Sequence, residues 1–196
     1  MAERLADSTL DQLFRNARTH NGWETDPLPP SLLRELYELA RFGPTAANSS
    51  PARFVFVTSA EAKEKLASVA SGSNQPKIKA APATVIIGYD LDFPEHLATL
   101  FPHAPGMKGV FADPAVAQQT AFRNASLQGA YFIIAARSLG LDCGPMSGFD
   151  NAKLDALFFA GTKIKSNFIC SIGHGNGVNL FERLPRLSFG EACQVV

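Results

Sequence analysis

Hydrophobic residues recur along this chain with helical spacing in five stretches and run together in three others. Leu10, Leu13, Phe14 and Ala17 fall on one face behind Ser8-Thr9-Leu10-Asp11, a capping signal, and predict a first amphipathic helix. Asp26-Pro27-Leu28-Pro29-Pro30-Ser31 is a stiff connector ending in a cap at Ser31, and Leu32, Leu33, Leu36, Leu39 and Ala40 form the apolar side of a second helix. A third helix is expected from about Ala60 to Ser71, a long one from about Ala115 to Leu139, ended by Gly140, and a short one near Ala152 to Phe159. The continuous apolar runs Phe54-Val55-Phe56-Val57, Ala83 to Tyr89 and Phe168 to Gly173 read as buried strands.

Between these elements lie polar or thin loops. Arg41-Phe42-Gly43-Pro44-Thr45-Ala46-Ala47-Asn48-Ser49-Ser50-Pro51-Ala52-Arg53-Phe54 passes from helix to strand, with Gly43 suited to a left-handed position and little side-chain bulk up to Pro51. A flat ligand could lie on its backbone while Thr45 and Asn48 offer hydrogen bonds; a plain connector is the other reading. Arg18-Thr19-His20-Asn21-Gly22-Trp23 crowds a cation, a hydroxyl, an imidazole and an amide where helical periodicity fails. Ser71 to Lys79 reads as a polar loop, Leu141 to Asp150 as a thin loop fixed by glycine and proline, and Asp92 to Pro114 has no sustained period.

The totals narrow the possibilities. A chain of 196 residues, 46% hydrophobic and 18% charged, suits one domain with a sizeable core, spanning 1–196, and possible subunit contact. Its formal net charge of zero argues against nucleic acid or an anionic membrane as partner. Cys143, Cys170 and Cys193 lack metal-site spacing and are expected as reduced thiols of a cytoplasmic protein, and no metal is expected. The first residues carry no apolar signal core.

Candidate chemistry comes by elimination and then by composition of the loops. Nucleophile-elbow, phosphate-loop and HExxH patterns are missing, and Gly173-His174-Gly175-Asn176-Gly177 has the wrong spacing for a dinucleotide turn. The loops instead hold Arg18, Lys77, Arg183, Arg186, Asn48 and Asn74. Cations for a phosphate, amides for a ring's polar edge and bare backbone for its face suit FMN, which would carry the hydride chemistry.

Ala17 to Trp23, Gly43 to Arg53, Thr120 to Asn124, Gly144 to Asp150 and Arg183 to Phe189 together resemble the nitroreductase family of FMN-dependent oxidoreductases, closest to the malonic semialdehyde reductases of pyrimidine degradation. The resemblance implies an α+β fold, a central mixed β-sheet flanked by helices, and an intertwined homodimer with FMN at its interface. By matching position it implies Arg18 at the phosphate or the ribityl chain, and Arg186, with Arg183 a second, at the phosphate. Pro44, Thr45 and Asn48 would line the flavin, Asn74 and Lys77 would meet its pyrimidine edge, and Pro145, Met146, Ser147 and Gly148 would lie beside its reactive nitrogen. His20 stands where the family usually has serine, and Ser49 to Ala52 replace a common glutamine, proline and tryptophan. The implied activity takes a hydride from NADPH or NADH through FMN to malonic semialdehyde, giving 3-hydroxypropionate. The alternatives are a broad nitro or quinone reductase and a flavin-binding protein without turnover. His103 or Lys108 could hold a substrate carboxylate; the proton donor and any catalytic side chain stay unassigned.

Overall fold

The structure is a computed structural model and describes residues 3–196. Four strands, β1 (Ala52–Val57), β2 (Ala83–Asp90), β3 (Asp142–Met146) and β4 (Ile164–Gly173), form one sheet in the order β1-β2-β4-β3. Every ladder in it is antiparallel. The mixed sheet expected from the resemblance is therefore corrected: among the described residues the parallel component is confined to a single bridge between Thr19 and Cys143. β2 is buried along its whole length because both faces are covered, which explains its unbroken apolar run.

Helices α1 (Asp7–Leu10), α2 (Pro30–Ala40), α3 (Ala60–Ala67), α4 (Gln75–Ala80), α5 (Leu97–Leu100), α6 (Met107–Val110), α7 (Pro114–Ser138), α8 (Asn151–Phe158) and α9 (Phe189–Ala192) surround the sheet. On one face Leu36 and Ala40 of α2 and Phe132, Ala135 and Ala136 of α7 pack on Val85, Ile87, Cys170 and Ile172. On the other, Leu66 of α3 and Leu154 of α8 pack on Val57, Ile86 and Ile169. Alternate residues of β2 thus feed opposite cores, as the strand's period of two dictates.

Several local expectations change. The first helix lacks the Ser8 cap; it starts after Ala6 without a side-chain cap and continues as a π-helical turn over Asp11–Arg15. α2 starts at Pro30, one residue before the expected cap, since proline's fixed φ fits a first helical position. α3 stops at Ala67, and part of the supposed polar loop after it is α4, entered through Pro76. The supposed loop after Leu141 is mostly β3, which tolerates Pro145 because it is an edge strand. Positive φ occurs at Gly140 and Gly161 but not at Gly43, where closeness excludes a side chain: a Cβ would meet the Tyr131 ring at 2.9 Å. The 92–114 stretch contains a 3₁₀ turn, Phe93–His96, besides α5 and α6. No helix among the described residues is long and apolar enough to cross a membrane.

Candidate functional site

Residues 18–23 run along the free edge of β3. Thr19 bridges Cys143, and the His20 N–H donates to Cys143 O at 3.1 Å. Gly144 allows this approach, since a Cβ there would stand 2.6 Å from His20 O. The C-terminal tail crosses the same segment. Arg18 donates to Phe181 O, Asn21 Nδ2 donates to Asn179 O at 3.0 Å, and Arg183 Nη2 donates to the carbonyls of Arg15 (2.6 Å) and Ala17 (3.0 Å).

Between segment and tail lies a cavity of about 590 Å³ whose walls include Arg18, Arg137, Arg183 and Arg186. Arg137 donates to Leu13 O and Arg186 to Leu184 O and Pro185 O. All four guanidinium groups are thus held by neutral carbonyls, and none is within ion-pair distance of a carboxylate among the described residues. Glu182 shares the wall without pairing with any of them, and planar forked donors match the oxygens of a phosphate. Arg183 spends part of its donor set clamping the tail, so its place is both structural and at the cavity wall.

A smaller cavity of about 50 Å³ adjoins the first, sharing Thr19 and Asn21 and adding His20, Lys77, Pro145 and Met146. Asn74, at the start of the helix that carries Lys77, holds the turn after β3: its Nδ2 donates to Gly148 O at 3.1 Å, and the Ser71 N–H donates to the same oxygen at 2.9 Å. Gly148 is required for this contact, because a Cβ would be 2.9 Å from Asn74 Nδ2. Ser147 is exposed on the same turn. Lys77 has no carboxylate within ion-pair distance among the described residues, whereas Lys79, on the same helix, pairs with Glu64 at 2.7 Å. Arg18, His20, Asn74, Lys77, Pro145 to Gly148, Arg183 and Arg186 are therefore brought together.

Pro44, Thr45 and Asn48 are not. Their loop is tied to α7 by Ala46 N–H donating to Asn124 Oδ1 (2.8 Å), and the start of β1 by Ala52 N–H donating to Gln128 Oε1 (2.9 Å). Asn48 Nδ2 donates to Leu100 O at 2.9 Å, which ties the 92–114 stretch to this loop. Ala47, Asn48 and Ser50 have φ of 51°, 47° and 40°, a left-handed run without glycine that the surrounding bonds must enforce. β1 and β3 are opposite edges of the sheet, and the register puts Ala52 level with Lys165 but Cys143 level with Ile172. Seven residues along and three strands across separate the start of β1 from the Cys143 bridge by roughly 25 Å. One chain cannot close both groups around one flat ring.

Sequence reasoning missed Arg137 and Asp142. Arg137 reads as an ordinary cation in a helix's last turn, and Asp142 as part of a connector; neither carries a local signal. Of the two candidates for a substrate carboxylate, Lys108 pairs with Glu95 at 2.5 Å and His103 packs on Phe101, with ring centroids 3.9 Å apart. Among the described residues no group of three or more His, Cys, Asp or Glu is placed to hold a metal ion.

Known proteins agree with this architecture. The sequence profile of the Nitroreductase family matches residues 8–174, and the chain belongs to that family. A relative from Caulobacter vibrioides, provisionally named NADH dehydrogenase/NAD(P)H nitroreductase, is 67% identical over 193 residues, covering 98% of this chain and 99% of the relative. A Stenotrophomonas maltophilia relative with the same provisional name is 60% identical over 196 residues, with all of both chains covered. Among solved structures, a provisionally assigned nitroreductase from Exiguobacterium sibiricum in complex with FMN superposes with a TM-score of 0.87 at 17% identity, covering both chains fully.

Proposed function

We propose that this chain is an FMN-dependent NAD(P)H oxidoreductase working as a homodimer. The observation that carries the reading is the pair of adjoining cavities, one walled by four arginines without carboxylate partners and one by His20, Lys77 and Met146. The donor set fits FMN: Arg18 and Arg186 for the phosphate, Lys77 and Asn74 for the polar ring edge, and Pro145 to Gly148 for the ring's flank. Bound there, FMN would supply the hydride chemistry, taking a hydride from NADPH or NADH and passing it to an acceptor. The chain's own residues bind, orient and neutralise charge.

The loop carrying Pro44, Thr45 and Asn48 would be supplied by a second copy. Supporting this are the diagonal placement of the two groups and an exposed apolar surface that includes Phe42 (75% exposed), Phe181 (73%) and Leu184, Leu187 and Phe189 (70% each). For the acceptor we take malonic semialdehyde, reduced to 3-hydroxypropionate as in pyrimidine degradation, on the motif resemblance and the cationic site. The names of the relatives at 60–67% identity favour a nitro acceptor as the second reading.

The test is an absorbance spectrum after incubation with excess FMN and desalting, before and after anaerobic NADPH or NADH. Retained flavin bands that bleach are expected; no retained flavin overturns the reading, and retained flavin that fails to bleach makes this a binding protein without turnover. Comparing kcat/KM on malonic semialdehyde and on a nitroaromatic then decides the acceptor, the larger value naming the class.

A further inference from the structure

The glycine-rich run after β4 and Asp142, neither used above, converge on His20. The His20 side chain is 11% exposed, with Nδ1 3.3 Å from Asp142 Oδ1. That contact is within ion-pair distance but lacks hydrogen-bond alignment, so Nδ1 is buried without a partner. The other carboxylate oxygen, Asp142 Oδ2, accepts from the Gly175 N–H at 2.9 Å, which fixes the carboxylate. Gly175 also packs on the imidazole itself: a Cβ would stand 2.2 Å from Cδ2 and 2.8 Å from Nε2. Trp23 flanks the ring, its centroid 6.2 Å away. The backbone is pinned as well, through His20 N–H to Cys143 O and the close pass of Gly144. Lys77 is the charged group that shares the ring's cavity, and His174 precedes Gly175.

A ring this constrained has one face for its proton. A carboxylate beside Nδ1 accepts and never donates, so it selects the tautomer protonated at Nδ1 and leaves Nε2 as an acceptor. We infer that Asp142 and Gly175 are positioning residues that hold His20 so that Nε2 accepts a hydrogen bond from a hydroxyl of the bound cofactor's polyol chain. The inference rests on the FMN reading.

The test uses three ligands that differ by one part each: FMN, riboflavin without the phosphate, and lumiflavin without phosphate or polyol. Dissociation constants come from fluorescence titration of the wild type, His20→Ala, Asp142→Asn and Gly175→Ala. The preference of the wild type for riboflavin over lumiflavin should fall about fivefold in His20→Ala, the value of one hydrogen bond, while the preference for FMN over riboflavin stays unchanged. Asp142→Asn, which keeps the side-chain shape, should give a similar fall, and ¹⁵N NMR of His20 should show the proton move from Nδ1 to Nε2. Gly175→Ala should act likewise by displacing the ring. A fall confined to the FMN-over-riboflavin preference, an unchanged riboflavin preference, or an Nε2 proton in the wild type overturns the inference while FMN still binds. Failure of the wild type to bind any of the three overturns the cofactor reading as well.

Discussion

Cys143 and Cys170 lie diagonally across the β3–β4 ladder, both fully buried, whereas Cys193 is exposed in the tail. The neighbouring Cys143 and burial push the Cys170 thiol well above its usual range. In the unfolded chain that thiol ionises near pH 8.5, so above this pH the unfolded state releases a proton that the folded state keeps. Its contribution to stability is fully present below about pH 8.5 and is lost as pH rises, by up to about 1.4 kcal/mol per pH unit. Urea midpoints at pH 7, 9 and 10 should therefore fall more steeply for the wild type than for Cys170→Ser, which cannot ionise in this range; parallel profiles would refute the argument. A thiol reagent at pH 8 should modify Cys193 alone until denaturant is added. Arg53 presents a different kind of residue effect, because its guanidinium joins the Asp90 carboxylate (2.7 Å) to the carbonyls of Ser50 (3.1 Å) and Ala52 (2.9 Å). Arg53→Ala strands a mostly buried carboxylate and frees the end of the strained loop, and should cost about 2 kcal/mol in urea unfolding.

At the scale of elements, α7 shows local propensity overruled by packing. Glycine in mid-helix ordinarily costs about 1 kcal/mol relative to alanine. At Gly129, however, a Cβ would meet the Phe168 ring at 2.5 and 2.6 Å, so the glycine is what lets α7 lie on β4. Overpacking of this kind costs about 1–3 kcal/mol, and it should outweigh the gain in helix propensity. Gly129→Ala should thus lower the melting temperature, against the rule for exposed helices. The same competition sets what could be read from the sequence. β2, α2 and α7 were legible because their patterns are long and their burial regular. β3 was not, since five residues containing glycine and proline resemble a turn until a neighbouring strand pairs with them. α4 was hidden by its length of six residues and by Pro76. For the site, residue types sufficed to pick out the cations and amides of the loops, but Asp142 and Arg137 acquire meaning only through partners far away in sequence. The left-handed run at Ala47, Asn48 and Ser50 carries no glycine signal at all.

For the whole molecule, the diagonal separation of the two residue groups makes a prediction that no single chain can satisfy. If each flavin is held by Arg18, Lys77 and Arg186 of one copy and by Thr45 and Asn48 of the other, damage to either group should complement in trans. A dimer purified with two different tags, one chain carrying Arg18→Ala with Arg186→Ala and the other Thr45→Ala with Asn48→Ala, contains one site with both groups intact and one with both damaged. Each parental homodimer has two sites damaged in one group and should bind FMN more weakly, since two charge-assisted bonds of the arginines contribute about 3 kcal/mol or more and two neutral bonds of Thr45 and Asn48 about 2 kcal/mol. The mixed dimer should retain about one flavin per two chains, half the wild-type ratio, because a C₂ dimer makes its two sites equivalent before mutation. Were the sites built within single chains, mixing would leave every site damaged in one group, and the mixed dimer would hold no more flavin than its parents. The ratio of flavin absorbance to protein concentration after desalting separates the two arrangements directly. It does so whichever acceptor the enzyme reduces, because on this reading the loop and the arginines meet the cofactor before any acceptor enters.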